Sequence, residues 1–338
     1  MTGAFDPYSS LYSNPSGPGD QRPTALQVVK DNDRINKLTD KVVLVTGATS
    51  GIGVETTRAL HATGAHVYIT ARNMEKAKAV VQDILNTSEG KGNIDIIKIN
   101  MDSLESVKQA AKMFLQKSTK LNILVNNAGI MGCPESRSKD GHELQLAVNH
   151  LAHFAFTTML LPTLIASSSP DFNSRAIFVA SSSHRFARVD FDNINMTGIY
   201  QPQLAYGKSK TANIWTANQI ERLYSSQGVH ALSLNPGGIW TELQRYSSEA
   251  DIDGWKNDKE LAPLMQSPAQ GAATTLWAAV GKVWEGLGGS YVADCKVSAP
   301  AERMDDAVNN GYAPWAYDEE SEEKLWNLSI ELTGVTPP

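Results

Sequence analysis

Cysteine is scarce in this sequence, and its scarcity limits the kinds of protein the chain can be. Of the 338 residues only Cys133 and Cys295 are cysteines, far apart and without metal-ligand spacing. A small secreted scaffold held by disulfides needs several paired cysteines, so that class is excluded. His150 and His153 would share one helix face, but no third ligand lies near them in sequence. We therefore predict no metal site.

The sequence also lacks an excess of positive charge and a long apolar run. Its 30 basic and 36 acidic residues give a formal net charge of -6, which argues against a broad nucleic-acid surface. The most apolar stretch, 154–166, is shorter than a membrane-spanning helix and contains Pro162. The N-terminus has no basic-then-apolar signal peptide. We expect no nucleic-acid partner, no membrane span and a cytoplasmic location.

Residues 1–22 differ in composition from the rest of the chain. They are rich in Pro, Gly, Ser and Tyr without apolar periodicity, which predicts a flexible N-terminal extension. We expect residues 23–338 to form a single domain, because no linker-like segment interrupts residues 41–317. A polar, irregular stretch at about 241–266 is long for a connection. Long loops of this kind are commonly lids or binding loops, and we predict a substrate loop there.

Short apolar runs alternate with helix-length amphipathic segments after Lys41. The runs are rich in Val, Ile and Leu without polar alternation, as in parallel strands buried on both faces. This alternation predicts an α/β protein, a single doubly wound parallel-sheet Rossmann domain with helices on both faces. The expected strands are 42–45, 66–70, 94–99, 121–125, 176–180, 229–234 and 290–292, and the expected helices lie near 52–63, 74–86, 103–117, 143–166, 204–226 and 268–280.

A glycine-rich turn comes directly after the first strand and leads into a helical pattern. Such a turn lets backbone N–H groups approach a pyrophosphate, and the helix N-terminus adds a favourable dipole. The spacing is G-x-x-x-G-x-G rather than the best-known G-x-G-x-x-G. A glycine-rich turn without a ligand is the alternative, but the strand–turn–helix context favours a dinucleotide site. Its predicted residues are Gly47, Thr49, Ser50, Gly51, Ile52 and Gly53.

Arg72 indicates which dinucleotide binds. It lies at the end of the second strand, where an NAD site would carry a carboxylate for the ribose 2′-hydroxyl. A guanidinium can instead bind a 2′-phosphate through a charge-assisted pair. We therefore expect NADP(H) as the cofactor, with a solvated surface charge as the alternative explanation of Arg72.

Tyr206 and Lys210 open a predicted helix one turn apart, so both side chains project from one face. A free tyrosine has a pKa of ~10, and a nearby ammonium lowers that pKa. Tyr206 could then act as a general acid/base. Taken alone, this Y-x-x-x-K pattern is also consistent with a surface tyrosine beside a surface lysine.

Together these motifs resemble the short-chain dehydrogenase/reductase family. The matching segments, in the family's order, are 46–53, Asn-Asn-Ala-Gly at 126–129, the serines 181–183, Tyr206 with Lys210, and Pro-Gly at 236–237. The long separation between serine and tyrosine resembles the subgroup of retinol dehydrogenases and WW-domain oxidoreductases. Many family members form homodimers through the helices corresponding to 143–166 and 204–226, so the resemblance allows a homodimer here.

The resemblance implies further cofactor contacts. The turn 126–129 would pack against the adenine side, Asp102 would hydrogen-bond the adenine, and the loop from Pro236 would hold the nicotinamide. The residues implied beyond the glycine turn and Arg72 are Asp102, Asn126, Ala128, Gly129, Tyr206, Lys210, Pro236, Gly237 and Thr241.

The resemblance also implies the catalytic residues Ser181, Tyr206, Lys210 and Asn149. Ser181 is the catalytic hydroxyl when Val-Ala-Ser at 179–181 is aligned with the family's Val-Ser-Ser, although Ser182 or Ser183 could take that role. Tyr206 would donate a proton in reduction and remove one in oxidation. Lys210 and a water held by Asn149 would restore that proton.

The expected function is NADP(H)-dependent interconversion of an alcohol and a ketone or aldehyde on an apolar small molecule, with a lipid-, retinoid- or polyketide-like substrate. Two alternatives keep the fold. The first is an epimerase or dehydratase, whose relatives usually carry a different glycine pattern. The second is a regulator that binds NADP(H) without turnover, and such proteins tend to lose the tyrosine or the lysine.

Overall fold

Parallel strands form the centre of the fold. The computed structural model describes residues 3–304 and 311–338. The strands are β1 Val42–Val45, β2 His66–Ala71, β3 Ile94–Lys98, β4 Ile123–Asn126, β5 Ser174–Val179, β6 Val229–Asn235, β7 Tyr291–Ala293 and β8 Lys296–Val297. Within the described residues they form an eight-stranded sheet in the order β3-β2-β1-β4-β5-β6-β7-β8. Strands β1 to β7 are parallel and β8 is antiparallel to β7, which confirms the predicted fold class.

Helices flank this sheet. They are α1 Ser9–Tyr12, α2 Ala25–Asp31, α3 Gly51–Ala62, α4 Met74–Thr87, α5 Leu104–Lys117, α6 Leu144–Leu146, α7 Ala152–Ser167, α8 Pro202–Tyr224, α9 Glu249–Asn257, α10 Pro268–Gly271, α11 Ala273–Val280 and α12 Glu319–Thr333. A π-helical turn, Ala147–Leu151, joins α6 to α7. The side chains of Asn73, Ser103 and Asp318 accept backbone N–H groups at the starts of α4, α5 and α12. These caps satisfy donors that have no partner within the helix.

The two helical layers bury opposite sides of each strand. In β1, Val43 and Val45 belong to a hydrophobic cluster that includes residues of α2, α3 and α11. Val42 and Leu44 belong to a second cluster with residues of α5, α7 and α8. A strand buried on both faces requires an apolar side chain at every position. The continuous Val-Val-Leu-Val sequence of β1 meets this requirement.

The strand order reverses direction beside β1, which lies between β2 and β4. In an open α/β sheet, ligands bind in the crevice outside the carboxyl ends of the strands at this reversal. The glycine-rich turn comes after β1, and the Asn-Asn-Ala-Gly turn begins at the last residue of β4. The topology therefore brings the two turns to the same edge of the sheet.

Residues 3–22, here called the N-terminal segment, pack against the rest of the protein, so the prediction of a flexible extension is wrong. Tyr8 is 7% exposed, and its hydroxyl donates to Asp31 at 2.8 Å. The guanidinium of Arg22 donates to the carbonyl oxygens of Leu264 and Met265 at 2.6 Å each. A Pro- and Gly-rich segment can take an irregular path without apolar periodicity, so composition did not reveal contacts with residues distant in sequence.

The segment 241–266, predicted to be irregular, contains helical turns. Short 3-10 helices span Glu242–Gln244 and Ala262–Leu264, and α9 lies between them. Ser248 and Asp251 form a reciprocal capping box at the start of α9, which is a sequence signature of a helix N-terminus. None of the described residues of α9 is buried, so this helix lies on the surface.

The apolar stretch near 154–166 belongs to the continuous helical segment that the sequence predicted near 143–166. The continuous segment Leu144–Ser167 has 24 residues and is long and apolar enough, by length and composition, to cross a membrane. However, 72% of its most apolar window is buried inside the protein. Contacts within the core therefore account for its apolar surface, because a buried core helix can have the same length and composition as a membrane-spanning helix.

Candidate active site

A cleft of about 640 Å³ lies at the edge of the sheet where β1 and β4 end. The predicted site residues that line it are Gly47, Thr49, Ser50, Gly51, Ile52, Gly53, Arg72, Asp102, Ala128, Gly129, Ser181, Tyr206, Lys210, Pro236, Gly237 and Thr241. Segments that are far apart in sequence thus meet around one space. Asn126 and Asn149 were predicted to be in the site but do not line it.

The glycine turn has a shape that only glycine permits. Gly47 and Gly51 have φ angles of 66° and 55°, in the left-handed region that side chains disfavour. A Cβ on Gly53 would lie 2.2 Å from the carbonyl oxygen of Gly47, and a Cβ on Gly47 would lie 2.6 Å from Ala128 Cα. The backbone is therefore open to the cleft and has no room for side chains.

Helix α3 begins at this turn with its first N–H groups free of a side-chain cap. Ser50 is the N-cap residue in an extended conformation, and its side chain makes no capping hydrogen bond among the described residues. Free backbone N–H groups and the positive end of the helix dipole suit an anion such as a phosphate. The turn therefore fits the pyrophosphate of a dinucleotide.

Thr46 connects the two turns at this edge. Its hydroxyl oxygen accepts the backbone N–H groups of Asn127 at 2.9 Å and Ala128 at 3.0 Å. In return, Asn127 Nδ2 donates to the carbonyl oxygens of Thr46 at 2.8 Å and Gly47 at 3.1 Å. These bonds hold the glycine turn and the Asn-Asn-Ala-Gly turn in a fixed relation.

His153 supports the glycine turn through a hydrogen bond with Thr46. Its Nδ1 lies 2.9 Å from the Asn149 carbonyl oxygen and must donate to it. Nε2 is then the acceptor in the neutral ring, and the Thr46 hydroxyl, 2.9 Å away, donates to it. Burial lowers the pKa of His153 to about 4, so the ring stays neutral at physiological pH. The histidine serves a structural role that sequence analysis did not assign.

Asn126 lies beneath the cleft instead of in its wall, which corrects the predicted cofactor contact. It is 0% exposed, and its Nδ2 donates to the Thr157 hydroxyl at 3.0 Å. The next residue, Asn127, lines the cleft instead. Successive side chains of a strand point to opposite faces, so a motif alone did not show which asparagine reaches the cleft.

The far end of the cleft carries Arg72 and Asp102. Arg72 is exposed, and in the described part of the chain it forms no ion pair. Asp102 accepts a hydrogen bond from Asn100 Nδ2 at 2.6 Å, and Asn100 lines the cleft as well. An unpaired guanidinium at the end of β2 is available to an anionic group of a ligand.

Glu242 is a cleft residue that sequence analysis missed. Its two carboxylate oxygens lie 2.9 and 3.1 Å from Lys76 Nζ, across the mouth of the cleft. Hydrogen bonds from Lys76 and Ser50 lower the pKa of this carboxyl. A carboxylate thus lies beside Ser50, the cap of the helix that suits a phosphate. Its position within the predicted substrate loop 241–266 was the signal for it in the sequence.

Ser181, Tyr206 and Lys210 meet at the other end of the cleft. Tyr206 and Lys210 lie in the first turns of α8 and are 5% and 3% exposed. Ser181 precedes the 3-10 helix Ser182–Phe186, and its hydroxyl is close enough to Tyr206 to act on the pKa of that phenol. Lys210 Nζ lies 5.5 Å from the centre of the Tyr206 ring. Two hydroxyl groups and an amine are therefore clustered in one wall.

Burial dominates the protonation of this cluster. It raises the pKa of Tyr206 to about 12, and the neighbouring Ser181 side chain opposes this rise. Burial also lowers the pKa of Lys210 to about 7. The prediction that a nearby ammonium lowers the tyrosine pKa is therefore wrong. Lys210 Nζ donates instead to the Val179 carbonyl oxygen at 2.8 Å, and loss of hydration outweighs its charge.

Among the three adjacent serines, Ser181 has the contacts expected of the catalytic hydroxyl. It lines the cleft with Ser183, but it is the serine whose side chain acts on the pKa of Tyr206. Its Oγ accepts the Ser183 N–H at 3.1 Å, which fixes the side chain at the start of the turn. A Cβ on Gly207 would lie 2.5 Å from the Ser183 carbonyl oxygen. Glycine at 207 thus lets the serine turn approach α8.

Asn149 lies in the π-helical turn and is 0% exposed. Its Oδ1 accepts the Ile130 N–H at 2.9 Å, while its Nδ2 donates to the Ile130 carbonyl oxygen and to Ser209 Oγ, each at 2.9 Å. Ser209 in turn donates to the Tyr206 carbonyl oxygen at 2.7 Å. Asn149 therefore connects the turn after β4 to the start of α8. Its role in holding a water stays a prediction.

Comparisons with known proteins agree with this geometry. A family model described as short chain dehydrogenase matches residues 41–252. The chain is 47% identical to short-chain dehydrogenase/reductase prx1 of Penicillium roqueforti over 334 residues, covering 99% of this chain and 97% of the relative. Human retinol dehydrogenase 11 is 35% identical over 299 residues, covering 88% and 87% of the two chains. A solved structure from Mycobacterium paratuberculosis superposes with a TM-score of 0.66 at 29% identity, covering 88% of this chain and 95% of that one.

Proposed function

The chain belongs to the short-chain dehydrogenase family, and from that premise we propose that it is an NADP(H)-dependent oxidoreductase interconverting an alcohol and a ketone or aldehyde. The observation that carries the proposal is the pair of hydroxyl groups of Ser181 and Tyr206, which line the same cleft as the glycine turn. Lys210 lies behind the pair. Family membership gives the oxidoreductase class, whereas the cofactor, the substrate class and the residue roles are our proposal.

The cleft fits a dinucleotide along its length. The uncapped start of α3 and the glycine turn would hold the pyrophosphate, and the loop from Pro236 to Thr241 would hold the nicotinamide. Arg72 would pair with a 2′-phosphate, which favours NADP(H) over NAD(H). When bound, the nicotinamide supplies or accepts the hydride.

The side chains of this protein would handle the oxygen and the proton. Ser181 and Tyr206 donate hydrogen bonds to the carbonyl oxygen of the substrate, where negative charge builds up during reduction. The raised pKa of Tyr206, about 12, keeps its phenol protonated at neutral pH, as a proton donor requires. The lowered pKa of Lys210, about 7, lets its amine gain or lose a proton near neutral pH. That exchange would restore the proton of Tyr206.

The substrate we propose is an apolar alcohol or carbonyl compound. The cleft is lined by Met131, Leu144, Val148, Leu243 and Tyr246 besides its polar groups, and apolar walls with few polar groups are typical of such sites. Retinol is an apolar alcohol, so the name of the relative retinol dehydrogenase 11 supports the same substrate class.

Tyr206→Phe tests the catalytic role. We expect reduction of a panel of apolar ketones and aldehydes by NADPH to fall by about 10²- to 10⁴-fold, the usual contribution of a general acid. The NADPH dissociation constant, measured by nicotinamide fluorescence, should stay within about threefold because the turn at Gly47 is untouched. Turnover that survives the substitution would remove Tyr206 as the proton donor.

A separate titration tests the cofactor. Wild-type protein should bind NADPH more tightly than NADH, and Arg72→Asp should reverse the preference because a carboxylate repels the 2′-phosphate and accepts from a 2′-hydroxyl. A variant that still prefers NADPH would show that Arg72 is not the selector. Binding of neither nucleotide by the wild type would contradict the whole proposal.

A further inference from the structure

A second cavity adjoins the active-site cleft. It measures about 230 Å³ and shares Ser181, Asn235, Gly237 and Gly238 with the cleft. These residues lie at or just beyond the carboxyl ends of β5 and β6. An occupant of the second cavity would therefore lie next to the hydroxyl of Ser181, on the side that Tyr206 does not line.

Two segments distant in sequence form the outer wall of this second cavity. Tyr12, Pro15 and Arg22 come from the N-terminal segment, while Leu261 and Leu264 come from the end of the loop 241–266. The N-terminal segment lies outside the family match at 41–252, and so do Leu261 and Leu264. The wall is therefore a feature that the shared motifs do not describe.

Arg22 fixes the two segments to each other. Its side chain is 3% exposed and pairs with Asp20 at 2.9 Å. The remaining donors of the guanidinium reach the carbonyl oxygens of Leu264 and Met265 at 2.6 Å, and of Gly17 at 3.2 Å. Because these donors are already used, Arg22 positions the wall and does not serve as a charge for a ligand.

Gln270 adds a second tie from α10. Its Nε2 donates to the Asp20 carboxylate at 3.0 Å and to the Arg22 carbonyl oxygen at 3.2 Å, and its Oε1 accepts the Gly19 N–H at 2.8 Å. A buried network with this many partners gives the wall one defined position.

Gln266 gives the second cavity a specific chemistry. It is 4% exposed, and its Nε2 donates to the Pro236 carbonyl oxygen at 3.4 Å. Its Oε1 is buried without a hydrogen-bond partner among the described residues. A buried acceptor of this kind needs a donor from an occupant or from a water. Pro15, Leu261 and Leu264 supply apolar surface around it.

We propose that the second cavity is a substrate subsite, with the N-terminal segment as its specificity-determining wall. It would receive the part of the substrate that extends beyond the reacting carbon. The fitting extension is apolar with a hydroxyl or N–H donor that pairs with Gln266 Oε1. This inference rests on the proposed carbonyl reduction, because the subsite is defined by its position next to Ser181.

Pro15→Trp fills the subsite, and Pro18→Trp is the matched control. Both replace a proline of the same segment, but Pro18 is exposed and does not line the second cavity. We would measure kcat/KM with NADPH for 2-undecanone and 2-butanone. Pro15→Trp should lower the ratio of the long to the short ketone at least tenfold, and Pro18→Trp should leave it unchanged. An unchanged ratio in Pro15→Trp would overturn the proposal.

Gln266→Leu tests the donor. Wild-type protein should prefer at least one ω-hydroxylated 2-ketone of six to eleven carbons over its unhydroxylated counterpart by fivefold or more. The substitution should remove that preference without reversing the preference for NADPH. If the wild type prefers no hydroxylated member, a water satisfies Gln266 Oε1 and the donor assignment is wrong.

A labelling experiment separates failure of the subsite from failure of the enzyme function. Pro15→Cys and Pro18→Cys would be labelled with a maleimide in the full-length protein, where the native cysteines are buried. 2-Undecanone should slow labelling of Pro15→Cys at least fivefold and leave Pro18→Cys unaffected. Lack of protection at position 15 overturns the subsite even when ketones are reduced. Protection without any turnover supports the subsite and contradicts the oxidoreductase proposal.

Discussion

At the dinucleotide end of the cleft the wall is mostly backbone, whereas at the substrate end it is mostly side chains. The glycine turn faces the Asn-Asn-Ala-Gly turn at distances that leave no room for a Cβ. The second cavity is closed by two segments that the hydrogen bonds of Arg22 and Gln270 help to hold in place. Backbone walls tolerate no added atoms, while side-chain walls can change shape by substitution. In the function and subsite that we propose, the cofactor would bind at the rigid end and the substrate would be selected at the adaptable end.

Two arginines allow the sharpest test of this contrast. Arg22→Met should lower the free energy of unfolding by about 3–5 kcal/mol, because it leaves the buried Asp20 carboxylate without its cation. Arg72→Met should leave stability within about 0.5 kcal/mol, as expected for an exposed residue, and weaken NADPH binding instead. Urea unfolding and fluorescence titration of both variants measure the two effects. Equal stability losses would mean that the two ends do not differ in this way.

A glycine of the turn and a glycine of the surface test the rigidity of the dinucleotide end. Gly53→Ala places a Cβ 2.2 Å from a backbone oxygen, and overpacking of this kind costs about 1–3 kcal/mol. We expect a lower melting temperature and NADPH affinity reduced about 10- to 100-fold.

Gly254→Ala in α9 is the control, since among the described residues nothing lies within 4 Å of its added Cβ. The helix should gain up to about 1 kcal/mol from alanine, with NADPH affinity unchanged. Equal loss of NADPH binding in both variants would contradict the rigidity of the glycine turn.

The pH dependence should differ between the two reaction directions. Reduction uses the phenol of Tyr206, whose pKa is raised to about 12, so its kcat/KM should not fall through loss of that proton below about pH 11. Oxidation uses the phenolate, whose fraction rises about tenfold per pH unit below that pKa. Oxidation should therefore increase toward alkaline pH. An oxidation rate that falls as pH rises would exclude Tyr206 as the base.

The smallest effect is expected at the mouth of the cleft. Glu242→Gln removes the carboxylate that pairs with Lys76 and lies beside Ser50. The pair is largely exposed, so stability should change by less than about 1 kcal/mol. NADPH should bind about two- to fivefold more tightly because one negative charge near the phosphates is lost. Glu249→Gln, farther along the loop, should leave the affinity unchanged.

The sequence predicted the parallel strands and the positions of most residues in the cleft. This worked because short local patterns identify these residues. The glycine turn and Arg72 lie at the ends of strands, and Tyr206 and Lys210 lie near the start of a helix. It failed at Asn126, where the direction of one side chain relative to the strand decided the contact. Sequence analysis also failed for the pKa of Tyr206, because a local motif does not show how deeply its residues are buried.

The sequence by itself determined the doubly wound sheet, the family and the residues carried by short motifs. Apolar runs, glycine spacing and one-turn pairs act within a few residues, so they can be read along the chain. Only the tertiary structure decided that residues 3–22 are packed, that Arg22 ties them to residues 264–265, and that a second cavity lies beside Ser181. The contacts of Arg22 join partners more than two hundred residues apart, whose proximity arises from the packing of the complete sheet and its helices.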